Sequence, residues 1–265
     1  MQQLLVYADS LSWGIIPTTR KRLPFDARWP GVMEIALNAG GHSVRVIEDC
    51  LNGRRTAWED PFKPGRNGLI GLAQRIEINS PLGLVLLMLG TNDFQFTHAN
   101  TAVHSALGLS ALVSAIRQAP IEPGMPVPPI LVVAPPPLVN PRGPIAVKFA
   151  GAAEKAVGLA QMLRATATEL GCHYFDAGGV TPASVMDGIH LDADQHQMLG
   201  NALAVHVAAL PGVLERPAPT SAPAVPTLVP GTLVPGTLAP GTLDHGTPAQ
   251  STSAPGTPTA RDGNP

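Results

Sequence analysis

Short apolar runs alternate along this chain with stretches of helical periodicity, and this alternation constrains the fold more than any other feature. The runs at 84–89 and 130–134 contain no polar residue, which is typical of strands buried on both faces of a parallel sheet. Shorter or mixed runs at 4–7, 44–47 and 173–175 complete a set of five. The pattern predicts an α/β fold, a three-layer sandwich with a five-stranded parallel sheet between layers of helices.

Between these runs, helical periodicity predicts helices near 30–39, near 68–78, at 103–116 and over about 146–169. A last helix is expected after Asp192, where a capping-box pattern begins. Ligands of such folds bind at the carboxyl ends of the strands. Candidate functional residues should therefore follow the ends of the apolar runs.

A change in composition after Leu214 divides the chain of 265 residues. Residues 215–265 contain 11 of the 29 prolines and no aromatic residue, and three Thr-Leu-(Val/Ala)-Pro-Gly units repeat over 227–241. Such a segment lacks the apolar side chains that a core needs. We therefore predict a folded domain over 1–214 and a disordered Pro/Thr/Gly-rich tail over 215–265.

The charge and cysteine content narrow the range of partners and compartments. The net charge is −2, the isoelectric point is about 6.4, and no run of Lys or Arg could neutralise a series of phosphates, which argues against a nucleic acid partner. No apolar stretch approaches the ~18 residues that a membrane span requires, and the start has no secretory pattern. With only Cys50 and Cys172, the sequence favours a reducing cytoplasm.

Polar clusters follow four of the predicted strands, and together they supply the groups that acyl transfer requires. Ser10 comes directly after the first run and is a candidate nucleophile. His190 is a candidate base, and Asp187 could orient it. Taken singly, Ser10 could only cap a helix, and the Asp-x-x-His pair could be a surface loop or part of a metal site with Asp192 or His196.

Two further clusters offer donors to a developing oxyanion. Asn92, in the block 90–93, carries a side-chain amide, and Gly53 offers an unobstructed backbone N–H. The competing interpretation of both clusters is ordinary turn chemistry. A phosphate-binding loop is excluded, because neither G-x-G-x-x-G nor G-K-[ST] occurs.

Taken together, the clusters resemble the motif blocks of the SGNH (GDSL-type) hydrolase family. The matching segments are Asp9-Ser10-Leu11-Ser12-Trp13-Gly14, Gly53, Gly90-Thr91-Asn92-Asp93 and Asp187-Gly188-Ile189-His190. The resemblance implies a flavodoxin-like sandwich and ester hydrolysis without a metal or other cofactor. It also implies that Ser10 is both nucleophile and oxyanion donor, that Gly53 and Asn92 complete the oxyanion hole, and that Asp187 and His190 complete a catalytic triad.

Within this family the chain looks most similar to the mycobacterial-type acyltransferase, perhydrolase and arylesterase branch. The segments that carry this likeness are Arg28-Trp29, 51–54, 88–93, 135–138 and 175–178. The likeness implies a small short-acyl or aryl ester as substrate and water, an alcohol or peroxide as acyl acceptor. It also implies a homo-oligomer.

One position departs from the family pattern, because Ala8 stands where the first block has a glycine. If φ is negative there, alanine should be tolerated, and we expect tolerance. The alternative hypothesis is a catalytically impaired SGNH-fold binding module or scaffold, which Ala8 and the repeat tail would suit.

Residues next to the motif blocks are candidates for the substrate pocket. Trp13 and Ile15 follow the nucleophile, and Phe94 follows Asn92. Arg54 and Arg55, beside Gly53, are expected to be a solvated pair; contact with a substrate carboxylate or an acid of another subunit is the alternative.

Overall fold

The computed structural model describes residues 1–214 and contains the predicted five-stranded parallel sheet. The tail predicted for 215–265 lies outside the described residues. The sheet has the order β2-β1-β3-β4-β5. Its strands are β1 (Gln2–Ala8), β2 (Val44–Cys50), β3 (Leu84–Met88), β4 (Ile130–Ala134) and β5 (His173–Asp176).

Strand β1 lies inside the sheet, where it pairs with β2 on one side and β3 on the other. Every residue of β3 and β4 is buried, as their uninterrupted apolar sequences predict. The chain moves one way from β1 to β2 and then the other way through β3, β4 and β5. The order therefore reverses between β1 and β3, and a crevice at the carboxyl ends of these two strands is where such sheets bind ligands.

Helices cover the sheet and confirm the predicted sandwich. They are α1 (Ser10–Trp13), α2 (Trp29–Ala39), α3 (Leu72–Asn79), α4 (Ala102–Arg117), α5 (Ala152–Lys155), α6 (Leu159–Glu169) and α7 (Ala193–Ala208). Helices α2 and α7 pack against each other, and α4 packs against both α3 and α6. The expected capping box is present at the start of α7. The Asp192 side chain accepts a hydrogen bond from the backbone N–H of Gln195, and the Gln195 side chain accepts one from the backbone N–H of Asp192.

The prediction of one continuous helix over about 146–169 is wrong. This stretch contains a 3-10 helix at Gly143–Phe149, then α5 and α6. Gly151 and Gly158 stand before α5 and α6 with φ of 68° and 81°. The left-handed conformation of these two glycines ends one element and starts the next.

Among the helices of residues 1–214, none has the length and apolar character that a membrane crossing would require.

Candidate active site

Ser10 begins helix α1 directly after strand β1. Asp9 caps this helix, because its Oδ1 accepts a hydrogen bond from the backbone N–H of Leu11 at 2.9 Å. The interpretation of Ser10 as a helix cap is therefore wrong, since the cap is the residue before it. The Ser10 hydroxyl instead faces a cavity, and the residue is 6% exposed.

His190 lies within hydrogen-bonding distance of Ser10, with 3.1 Å between Nε2 and Oγ. On the other side of the ring, Nδ1 lies 2.7 Å from Oδ2 of Asp187. Both residues are buried. A carboxylate that accepts from Nδ1 favours the tautomer whose Nε2 can take a proton from a hydroxyl. The structure thus brings together the three side chains that the sequence singles out as nucleophile, base and orienting acid.

Burial and hydrogen bonding act in opposite directions on Asp187. Burial raises the pKa of its carboxyl, but the His190 ring and the backbone N–H groups of Ile189 and His190 lower it by more. Both N–H groups donate to Oδ1 at 2.9 Å. The net pKa lies below the usual value, so this carboxylate is ionised at neutral pH and can stabilise a protonated imidazole.

The loop that carries Asp187 and His190 is held by backbone hydrogen bonds. The carbonyl groups of Gly188 and Asp187 accept from the N–H groups of Val139 and Arg142, both at 3.0 Å, and the Gly188 N–H donates to Ser184 at 2.8 Å. Gly188 has φ of 74°, and a Cβ there would lie 2.0 Å from the Val139 carbonyl oxygen. Glycine is therefore required for the loop to lie against the segment after β4.

Gly53 lies in the turn after β2 and lines the same cavity as Ser10. Its φ is 85°. Its backbone N–H donates to no other group of residues 1–214, so it is available to a ligand in the cavity. The Ser10 N–H opens α1 and has no acceptor within the helix. The backbone N–H groups of Ser10 and Gly53, which the resemblance implies as donors, therefore both belong to residues that line the cavity.

Asn92 lies in a 3-10 turn after β3, and its amide is held on both sides. Nδ2 donates to Oδ2 of Asp9 at 2.8 Å and to the carbonyl of Arg54 at 3.1 Å. Oδ1 accepts from Nε2 of Gln95 at 2.7 Å. Both amide hydrogens are in use, so donation to an oxyanion requires the longer bond, to Arg54, to be shared or exchanged.

Arg55 fixes the orientation of Gln95 from behind the site. Its Nη2 donates to Oε1 of Gln95 at 2.8 Å and to Oγ1 of Thr97 at 2.7 Å, and it lies 3.5 Å from Asp60. With Oε1 facing the guanidinium, the amide nitrogen of Gln95 must face Asn92. The sequence did not single out Gln95 because no local pattern connects it to Arg55.

The expectation that Arg54 and Arg55 are a solvated pair is wrong, because both are buried. The guanidinium of Arg54 lies 3.8 Å from the centre of the Tyr7 ring, and its Nη2 lies 2.6 Å from Oδ1 of Asp49. This ion pair and the stacking tie the turn around Gly53 to strands β1 and β2.

Two buried carboxyl groups flank Asn92. Burial raises the pKa of Asp9 to about 6, a rise limited by the hydrogen bonds that its carboxylate accepts. Burial also raises the pKa of Asp93, whose carboxylate accepts from the N–H and Oγ1 of Thr56 at 3.0 and 2.7 Å. In the block 90–93, Asn92 lines the cavity while Asp93 fastens the turn to the neighbouring loop.

Ala8 is the last residue of β1, where it pairs with Cys50 and Met88 and is fully buried. It is not among the residues with positive φ. The condition for tolerating alanine at this position is therefore met, and the strand delivers Ser10 to the cavity without backbone strain at Ala8.

The cavity has a volume of about 380 Å³, which suits a small ligand. Five of its lining residues are those predicted as nucleophile, triad partners and oxyanion donors: Ser10, Gly53, Asn92, Asp187 and His190. The segment after β4 forms another part of the wall through Pro144, Ile145 and Phe149. Phe149 falls within the helix expected over about 146–169, and Pro144 and Ile145 directly precede that helix, so the sequence pattern did not mark this segment as part of a site.

Of the three predicted pocket residues, Ile15 lines the cavity, and Trp13 and Phe94 do not. Trp13 lies against the guanidinium of Arg22, 4.7 Å from the ring centre. Phe94 is fully buried in the hydrophobic core. Each of these two rings is engaged in packing away from the ligand space.

No three His, Cys, Asp or Glu side chains within residues 1–214 form a group that could hold a metal ion. His196, considered as a partner of His190 in a metal pair, is buried, and its Nδ1 accepts from the backbone N–H of Trp29 at 3.2 Å. Burial lowers its pKa to about 3, so the ring is neutral and serves to join α7 to α2.

Known proteins resemble this chain in both sequence and fold. Residues 9–198 match the GDSL-like Lipase/Acylhydrolase family. An arylesterase of Vibrio mimicus is 35% identical over 92 residues, which make up 35% of this chain and 38% of that protein. The match thus spans little more than a third of that relative.

Solved structures cover far more of the chain. The inhibitor-bound aryl esterase of M. smegmatis is 35% identical, with a TM-score of 0.75 over 79% of this chain and 100% of that chain. Est24, a carbohydrate acetylesterase from Sinorhizobium meliloti, is also 35% identical, with a TM-score of 0.74 over 79% of this chain and 99% of that chain.

Proposed function

We propose that this chain, which belongs to the GDSL-like lipase/acylhydrolase family and resembles its arylesterases, is a serine esterase of small short-acyl or aryl esters. The observation that carries the proposal is the line of hydrogen bonds from Ser10 through His190 to Asp187, with distances of 3.1 and 2.7 Å. This line ends at a cavity of about 380 Å³, which suits a short acyl group and a small alcohol or phenol.

In the proposed reaction, Oγ of Ser10 attacks the ester carbonyl while Nε2 of His190 takes its proton. Asp187 stabilises the resulting imidazolium through Nδ1. The oxyanion accepts from the N–H groups of Ser10 and Gly53 and from the Asn92 amide. The alcohol leaves with the proton from His190, and an acyl-enzyme remains until a second nucleophile repeats these steps in reverse.

The second nucleophile decides between hydrolysis and transfer. It must occupy the place that the leaving alcohol vacates, with its proton directed at His190. Ile15, Ile145 and Phe149 make part of the cavity wall apolar, which favours a small alcohol over water there. We include acyl transfer and perhydrolysis in the proposal because the resemblance implies both.

Assembly and location are further parts of the proposal. Val147, Val185 and Met186 are exposed apolar side chains on the two segments that flank the cavity, and such side chains favour contact with a second copy of the chain. Cys50 and Cys172 are both unpaired thiols, which suits the cytoplasm. Sedimentation of wild type and Val185→Asp tests the assembly, because a dissociated variant is expected.

Labelling with an organophosphonate probe tests the nucleophile directly. Wild type should form a covalent adduct at Ser10, whereas Ser10→Ala should not be labelled. The matched control is Ser114→Ala, which removes an exposed hydroxyl on α4 and should leave labelling intact.

Turnover of p-nitrophenyl acetate tests the whole arrangement. Ser10→Ala and His190→Ala should each lower kcat by about three orders of magnitude or more, because the triad acts as a unit. Analysis of products with water, alcohol and peroxide present then identifies the acceptor. Full activity in either variant would refute the assignment, and a folded wild type that binds esters without turnover would favour a binding module.

A further inference from the structure

Four cationic side chains line the cavity that contains Ser10: Arg20, Lys63, Arg142 and Lys148. Among residues 1–214, the one carboxylate in this lining is that of Asp187, which is engaged by His190. The ligand space therefore has an excess of positive charge, although the whole chain has a net charge of −2.

The charge of this lining is poorly compensated by neighbouring acids. Arg20, Lys63 and Arg142 have no carboxylate within 4.0 Å among residues 1–214. Lys148 lies 3.5 Å from Asp60, but the same oxygen of Asp60 lies 3.5 Å from the buried Arg55. At most one of the four lining cations thus has an acid partner in the described part of the chain, and it shares that partner.

The cations also act on one another. The pKa of Lys63 is lowered, first by partial burial and then by Arg66, Lys148 and Arg20, while Asp60 acts in the opposite direction. Mutual repulsion of this kind destabilises an empty site and is relieved when an anion binds.

Three separate loops contribute these cations. Arg20 follows α1, Lys63 follows β2, and Arg142 and Lys148 follow β4. These loops all lie at the carboxyl edge of the sheet, so the fold concentrates charge that the sequence disperses. The four cations stand at positions 20, 63, 142 and 148, and the short basic run at 20–22 contains just one of them.

We infer that the substrate is an anionic ester, with a carboxylate or another negatively charged group beyond the scissile bond, held by Arg20, Lys63 and their neighbours in the cavity wall. The inference rests on the proposed esterase function and defines its substrate class. The scissile carbonyl lies at Ser10, and the negative group lies among the cations. The charge could be on the alcohol or the acyl side of the ester, and the two are tested separately.

Paired substrates measure the preference. On the alcohol side, 4-acetoxybenzoate is compared with the neutral 4-acetoxybenzamide; on the acyl side, mono-4-nitrophenyl adipate is compared with 4-nitrophenyl hexanoate. Each kcat/KM is divided by the rate of hydroxide hydrolysis of the same ester. In one of the pairs the anionic member should be preferred by about tenfold at low salt, and the preference should shrink at high salt as the charges are screened.

Matched variants locate the effect. Arg20→Gln and Lys63→Gln should each lower the anionic-to-neutral ratio several-fold. Arg45→Gln makes the same change of charge near the amino end of β2, where the side chain is 60% exposed, and should leave the ratio unchanged. A ratio near one in both pairs, or an equal effect of Arg45→Gln, would overturn the inference.

A binding measurement separates this inference from the proposed function. Calorimetry with Ser10→Ala should detect binding of one of the anionic products, 4-hydroxybenzoate or adipate, but no binding of 4-hydroxybenzamide. If wild type hydrolyses neutral esters, shows no preference for the anionic esters and binds neither anionic product, the inference fails and the esterase function stands. If no ester is hydrolysed but an anionic product binds and Lys63→Gln abolishes binding, the esterase function fails and the anion site stands.

Discussion

Asp9 combines two tasks at the residue scale, since it caps α1 and holds the Asn92 amide. Burial raises the pKa of its carboxyl to about 6. When folding raises the pKa of an acid, the protonated acid stabilises the folded state. This stabilisation is complete below the pKa of the acid in the unfolded chain, near 4, and is lost as the pH rises through its pKa in the folded state. The ionised carboxylate of Asp9 therefore costs stability at neutral pH. The presence of this residue is explained by the two groups that it binds, the Leu11 N–H and the Asn92 amide.

The titration of Asp9 gives the first prediction. The free energy of unfolding of wild type, relative to Asp9→Asn, should fall between about pH 4 and about pH 7 by roughly 3 kcal/mol. Urea unfolding of both proteins across this range measures the difference. A difference that does not change with pH would show that the pKa of Asp9 is not raised. The pH dependence of the carbon-13 chemical shift of its carboxyl provides an independent check.

Gln95 gives a second prediction, because it carries the support of Arg55 to Asn92. Gln95→Glu keeps an acceptor for the Arg55 guanidinium but places a carboxylate oxygen against Oδ1 of Asn92, which must then turn. We expect kcat to fall about tenfold or more with little change in KM, since in the proposed mechanism the Asn92 amide donates to the oxyanion in the transition state.

Thr97→Val is the matched control for Gln95→Glu, because it removes another acceptor of Arg55 without contact to Asn92. The control should change stability more than kcat. If both variants lower kcat equally, the effect arises from Arg55 in general, and the positioning of Asn92 by Gln95 is refuted.

What the sequence could and could not predict is clearest at the residue scale. Ser10, Gly53, Asn92, Asp187 and His190 follow strand ends or belong to recognisable blocks, so local sequence was enough to select them, and the structure gathers them at one cavity. Gln95 and Arg55 act through contacts between residues 40 positions apart. Such contacts depend on how two loops fold over the sheet, which periodicity does not encode.

At the element scale, the segment after β4 holds the Asp187–His190 loop through Val139 and Arg142. Gly188→Ala should disrupt this contact, because its Cβ would lie 2.0 Å from a backbone oxygen at a φ of 74°. We expect kcat to fall about a hundredfold as the His190 ring moves away from Ser10.

Gly179→Ala is a suitable comparison for Gly188→Ala, since nothing lies within 4 Å of a Cβ at Gly179 and its φ is not positive. It should retain wild-type kcat and thermal stability. Normal activity in Gly188→Ala, with the fold verified by circular dichroism, would show that the loop does not need this close approach.

The elements themselves were predictable to different degrees. Strands β3 and β4 are buried on both faces, so their sequences are apolar throughout and their limits are sharp. The stretch 146–169 kept helical periodicity across Gly151 and Gly158, and periodicity alone does not reveal a glycine in the left-handed conformation. As a result, the part of the cavity wall at 148–149 was not anticipated.

For the molecule as a whole, the site follows from the topology. The sheet order reverses between β1 and β3, and these two strands deliver Ser10 and Asn92 to one crevice. Ser10 and Asn92 thus follow the ends of neighbouring buried strands, which keep their separation fixed. The loops after α1, β2 and β4 add the cations of the wall. In the proposed esterase the rigid sheet thus sets the chemistry, and the loops set the substrate.

The last prediction concerns the division of the chain at Leu214. Residues 215–265, which lie outside the described structure, have no aromatic residue and a proline-rich repeat, a composition that does not form a core. A protein ending at residue 214 should therefore keep its kcat/KM within about twofold and its Tm within a few degrees. Parallel assays of the full chain and the shortened protein provide the measurement. A tenfold loss of kcat/KM at unchanged circular dichroism, restored by adding the 215–265 peptide, would show that this segment contributes to the site.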